Sequence, residues 1–270
     1  MIQILKFLLI RNFRESYSTR WVVVGEWLII LVSLLTYWYT ARAFAPALDP
    51  HLPLFQPDYF SFLLVGETML FVPLVLFEGP SRMIRNAVNE KTLDIYSLSL
   101  SGPQAVYSLA SLMLIPREAI KISVTLLIAA LFFHFQVPYQ RSLAIGLGIM
   151  TGIPAFLGLG LVAAAVLVRF GRGGTVMNYF SSIATILAGA YFPITVLPET
   201  VQKGAQIFSP FTVYLDSLRR LFAFGWADTI AIQSLLRLLA VGVVLLIAGY
   251  VLLGMSFRFR LKRGDPLLLL

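Results

Sequence analysis

Three carboxylates, Glu26, Glu67 and Glu78, fall inside long apolar runs, and a cluster of Arg117, Glu118 and Lys121 stands at the start of another. An ionised side chain is costly in hydrocarbon, so such residues face protein or a water-filled path and find partners there. Glu26 and Glu78 lie within about two helical turns of the end of their runs and are expected to pair with arginines of the N-terminal segment. Glu67 is deeper, about 12 Å from the nearer end at the helical rise of 1.5 Å. It is the candidate for a polar substrate or gating contact; the plainer alternative is an inter-helix hydrogen bond. Arg117, Glu118 and Lys121 form a mid-membrane ion-pair cluster if their helix starts at Gln104. If Pro116 opens the span instead, they snorkel at its edge.

Other chemistry is sparse. The chain has no Cys and only two His, His51 and His134, both in or beside connectors, so neither a thiol site nor a His-rich metal site is expected. No Ser/His or paired-Asp constellation appears on facing segments, which argues against an intramembrane hydrolase. No G-x-x-x-x-G-K-[ST] phosphate loop occurs, and Gly171-Arg-Gly-Gly-Thr175 is a short basic turn. No catalytic residue, metal or cofactor is expected on this chain.

The elements that hold these residues follow from composition. Of 270 residues, 59% are hydrophobic and 13% charged, about half the roughly 25% charge of a soluble domain. Mean hydropathy is +0.84. Soluble enzymes and disordered or fibrous proteins are excluded, leaving a single polytopic membrane domain over residues 1–270. Six runs are long enough to cross a ~30 Å core as helices, near 21–41, 59–80, 116–136, 142–168, 175–193 and 232–256. The runs are continuous, not alternating, so the expected class is all-α and not a barrel.

The net charge of +8 sits in connectors, as the positive-inside rule requires, and does not indicate nucleic-acid binding. One side collects Lys6, Arg11, Arg14, Arg20, Arg82, Arg85, Lys91, Arg169, Arg172, Arg258, Arg260, Lys262 and Arg263. The other has Arg42, Arg141, Lys203, Arg219 and Arg220. This bias puts both termini in the cytoplasm of a multi-pass cell-membrane protein. The short apolar run Phe7–Ile10 is followed at once by arginine, so no cleaved signal peptide is expected. Residues 1–20 instead read as an amphipathic helix on the membrane surface, serving as an anchor or docking a partner.

Two stretches differ from plain spans. Residues 81–103 are polar, with helical spacing at Met83, Ala87, Leu93 and Ile95, and read as a short cytoplasmic helix between two spans. Residues 194–225 follow a break at Pro193 and Pro198, restart at Pro210 and are amphipathic. They read as a broken, partly re-entrant outer segment, tolerated at membrane depth where protein or water satisfies the backbone. Phe192, Phe211 and Tyr214 either line an apolar exit there or anchor the interface. The small face of the fourth span, with Gly148-x-x-x-Gly152, allows close helix approach.

The pattern Gly189-x-x-Phe192-Pro193, Leu197-Pro198, then Ser209-Pro210-Phe211-x-x-Tyr214-x-x-x-x-Arg219 resembles the hallmark of type-2 ABC exporter permeases. Asn89-Glu90-Lys91-Thr92-Leu93-Asp94 with Gly102-Pro103 resembles that family's coupling region. It departs from the usual Gly at Lys91, from Glu at Asp94 and from Thr-Pro at Gly102-Pro103. The resemblance covers nearly the whole chain and implies a permease subunit that moves an amphipathic substrate (drug-like, lipid or lipid-linked saccharide) outward. It implies ATP and Mg on a separate ATPase subunit, two copies expected, and a second permease, identical or different. The coupling residues it implies are Asn86, Asn89, Glu90, Thr92, Leu93 and Asp94. The alternatives are an ATP-independent transporter or channel, for which matched broken halves are not found, and an intramembrane lipid-modifying enzyme.

Overall fold

The computed structural model describes residues 20–53, 58–90, 102–171 and 174–263, and their regular structure is entirely helical. Nine α-helices follow one another among these residues: α1 (Arg20–Leu48), α2 (Tyr59–Asn89), α3 (Pro103–Leu112), α4 (Ile115–Phe133), α5 (Ser142–Phe170), α6 (Gly174–Leu187), α7 (Glu199–Phe208), α8 (Pro210–Phe224) and α9 (Thr229–Arg263). Polar residues start several of them. Asp58 accepts the Ser61 N–H ahead of α2, Ser209 accepts the Thr212 N–H ahead of α8, and Asp228 accepts the Ala231 N–H in α9, each satisfying an orphan donor of the first turn. Pro210 stands at the first position of α8, where its missing N–H costs nothing.

Four helical stretches are long and apolar enough to cross a membrane: Val24–Leu48, Tyr59–Asn89, Tyr139–Phe170 and Thr229–Arg260. Large apolar side chains on them, such as Leu28, Val32, Val244 and Ile247, stay exposed, as a lipid-facing surface requires. The other two expected spans do not qualify on these criteria. α4 has 19 residues with Arg117, Glu118 and Lys121 in its first two turns, and α6 stops after 14 residues. Pro116 stands in the first turn of α4, and a separate helix α3 precedes it.

α2 and α5 form the centre, and α5 runs along both α2 and α9 at close range. A Cβ on Gly160 would strike the backbone of Leu76 and Phe77, and one on Gly158 would come 2.5 Å from the Leu246 nitrogen. Gly148 and Gly152 instead meet side chains of α8, so the small face serves packing within the chain. At one end of the bundle Arg141 donates to the Phe222 carbonyl (2.7 Å). At the other Arg260 donates to the Val168 carbonyl (2.9 Å), and Arg169 lies over Phe259. α1 leans on the first turns of α2 through a smaller apolar cluster of Ile30, Leu34, Phe60, Leu63 and Leu64.

α2 does not end near residue 80. It runs on through Pro73 and Pro80 to Asn89, so residues 81–89 extend the span and are not a separate helix. Proline inside such a helix is tolerated where neighbouring elements enclose it, and Gly79, Pro80 and Ser81 are buried, with the Ser111 side chain of α3 beside Gly79. Residues 1–19 of the expected surface helix and residues 91–101 of the expected coupling region lie outside the described residues.

Candidate functional site

Two arrangements bring the polar residues of the bundle together. The first is a cavity of about 340 Å³ between α1, α2 and α4. From α1 come Glu26, Ile29, Ile30, Ser33, Leu34 and Tyr37, which recur at helical spacing along one face. From α2 come Glu67, Thr68 and Phe71, and from α4 come Glu118, Lys121 and Thr125. The seam between α1 and α4 is pinned at both ends of this cavity. Arg117 bonds Glu26 at one end. At the other, Trp38 packs on Phe60 and Phe133, with ring centroids 5.2 and 5.4 Å away.

Among the described residues, Glu26 pairs with Arg117, and Glu78 pairs with Arg82 one turn along its own helix at 2.7 Å; the N-terminal arginines expected as partners, Arg11 and Arg14, lie outside those residues. The α3–α4 break at Met113–Leu114 carries Arg117 to the α1 face. Glu118 is buried and pairs with Lys121 at 3.4 Å. Glu67 is in no ion pair among the described residues. Its Oε2 is buried without a hydrogen-bond partner. The signal that could have found the whole cavity was the α1 face itself, where Ser33 and Tyr37 follow Glu26 at seven and eleven residues.

The second arrangement is a clasp built on Arg219. Its guanidinium is buried and donates to the carbonyls of Gly189 (2.9 Å), Ala190 (3.4 Å) and Phe62 (3.1 Å), lying 3.6 Å from the Phe62 ring centroid. Gly66 makes room for it, because a Cβ there would come 2.5 Å from both the Ala190 carbonyl and the guanidinium. Gly189 turns the chain at the end of α6 with φ of +73°, the left-handed conformation that glycine adopts at least cost. Thr212 donates to the Leu187 carbonyl (2.9 Å), and the Tyr59 hydroxyl donates to the Tyr191 carbonyl (2.6 Å). The short turn between α6 and α7 is thus held from α2 and α8 together.

Phe211 and Tyr214 are fully buried, with Phe156 packed on both rings at 4.7 and 5.1 Å. They form core and line no exit. Pro193 is buried, Phe192, Leu197 and Pro210 are half-buried, and Pro198 is exposed. Arg220 bonds Asp216 at 3.0 Å and reaches Asp228 at 3.5 Å. Partial burial opposes its charge, but the two carboxylates outweigh that and hold it above the ordinary guanidinium value. Of the coupling residues, Asn86 and Asn89 are exposed on the last turn of α2 and Glu90 closes it. Thr92, Leu93 and Asp94 lie outside the described residues.

Among the described residues no group of three or more His, Asp or Glu side chains is arranged to hold a metal ion. The fold and its surface define an all-helical protein with four helices suited to span a membrane. Compared with known proteins, the chain matches no family model and no curated sequence.

Proposed function

We propose that this chain is the membrane-spanning permease subunit of an ABC exporter, moving an amphipathic substrate outward with ATP hydrolysed on a separate subunit. The observation that carries this reading is the Arg219 clasp. Arg219 closes the Ser-Pro-Phe-x-x-Tyr-x-x-x-x-Arg stretch, and its donors go to Gly189 and Ala190, which open the Gly-x-x-Phe-Pro stretch. Two halves of one sequence pattern, thirty residues apart, are a single structural unit.

In this reading α4 and α6 complete six crossings, α4 with its charges at the membrane edge and α6 with the turn at Gly189. Both termini face the cytoplasm, and α7–α8 form the re-entrant outer segment. Asn86, Asn89 and Glu90 then project from the cytoplasmic end of α2 toward the ATPase. ATP acts on the permease only through contacts that differ between its two states, and the end of α2 with the residues after it is the natural place for them.

Affinity purification of the tagged chain from its native membrane, with mass spectrometry of what accompanies it, tests the assignment. A stoichiometric soluble protein with a phosphate-loop motif is the expected companion, and a second permease distinguishes a heterodimer from a homodimer. Joint replacement of Glu90 and Leu93 by alanine is expected to abolish ATP-driven export while the protein still inserts; unchanged export rejects the coupling role. Glu67, which is in no ion pair among the described residues, favours one competing reading, an ion-coupled transporter without an ATPase, which a preparation free of any ATPase after mild crosslinking would support.

A further inference from the structure

We propose that the cavity between α1, α2 and α4 binds a small organic cation, a protonated amphipathic amine, with Glu67 as its counter-charge. This rests on the exporter reading for its role, since it names the substrate class, but the binding itself does not require an ATPase.

The charge balance of the cavity is the starting point. Glu26 is matched by Arg117 and Glu118 by Lys121, so three carboxylates meet two cations and Glu67 is left over. A carboxylate inside a membrane protein marks a pathway or a missing partner. A second polar group points the same way. Thr125 is 4% exposed, lines the same cavity, and its hydroxyl has no hydrogen-bond partner. Buried polar groups are nearly always satisfied, so two orphans on one cavity call for a bound species that supplies donors.

The walls select the kind of cation. An inorganic ion needs several converging oxygens, and Glu67 has none to share, because its neighbours Glu26 and Glu118 are committed. Ile29, Ile30, Leu34 and Phe71 supply an apolar lining, and two aromatic rings, Tyr37 and Phe71, are among the lining residues, the side-chain type that attracts a cation. The volume of about 340 Å³ falls at the lower end of small-molecule sites, about 300–1,000 Å³. A compact ring or short chain bearing one ammonium satisfies charge, shape and apolarity together.

The test uses the full chain purified into phosphatidylcholine nanodiscs with no ATPase present, and tritiated benzylamine, protonated at neutral pH, as the probe. Saturable binding is expected, and ethylbenzene, which has the same shape without the charge, should displace the probe at least tenfold less well. E67Q should weaken binding at least tenfold, E67D should retain part of it, and S33F should abolish it by filling the cavity from α1. Equal competition by the neutral compound overturns the proposal on wild-type protein alone, whether or not any variant folds. Undiminished binding by a folded E67Q or S33F also overturns it. Co-purification of an ATPase without cation binding removes this inference and leaves the exporter reading; binding without an ATPase does the reverse.

Discussion

Arg219 shows how a charged side chain can serve as structure. Its donors satisfy backbone carbonyls of a turn that no helix completes, at a depth where an unmade hydrogen bond is expensive. R219M is expected to destabilise the protein by about 2 kcal/mol, the scale of a buried unsatisfied polar group. G66A should do so comparably, because its methyl would displace the same guanidinium. G25A, whose methyl meets nothing within 4 Å, is the matched control. Thermal unfolding in detergent reads all three, and a melting temperature in R219M equal to that of G25A would remove the clasp from the account. The arginine and the glycine of this pair were unequally legible. Arg219 stood out at a fixed offset from prolines, whereas Gly66 is one glycine in a long apolar run and acquires meaning only when α6–α8 fold back on it. Phe211 and Tyr214 were misjudged for a related reason. Aromatics flanking prolines look like interface anchors in sequence, and Gly152, the α5 glycine that makes room for Tyr214, lies more than fifty residues away.

Helices α1, α2, α5 and α9 were readable because apolar length alone determines them. α2 overran its expected end because proline is a weaker terminator where neighbouring helices enclose it than in water. α6 fell short because its stop is set by Gly189 and the Arg219 clasp, a tertiary event. Helix approach along α5 is the interaction that holds the centre. G158A and G160A, each driven against backbone of α9 or α2, should cost about 1–3 kcal/mol in the manner of overpacked cores. G146A, with open space around it, should not. At the α1–α4 seam, E26Q and R117Q should each lower stability, and their double mutant should cost less than the two together, since the ions are partly buried and each single change strands a charge. Additive losses would mean that the pair does not hold the seam.

For the molecule as a whole, the absence of cysteine makes topology directly measurable. Single cysteines at Lys203, which is 75% exposed, and at Arg82, which is 49% exposed, should react with a membrane-impermeant maleimide from opposite faces, Lys203 from outside intact cells and Arg82 only after permeabilisation. Labelling of both from one face contradicts the proposed orientation. Charge bias is the basis of that proposed orientation; the number of crossings is harder to read, because a 19-residue helix with three charges and a 14-residue helix fail simple length and charge criteria. The unbroken α2 also has a mechanical consequence. Gly66 is clamped between the Arg219 guanidinium and the Ala190 carbonyl, and Tyr59, about 10 Å away along the helix, is tied to the same turn. Asn89 lies about 35 Å to the other side. α2 is therefore tied twice to one turn and gripped again at Leu76 and Phe77, where Gly160 brings the backbone of α5 into contact. Glu67, one residue from Gly66, is held in place by the same ties that fix the turn, whereas Asn89 stands exposed at the far end of the rod.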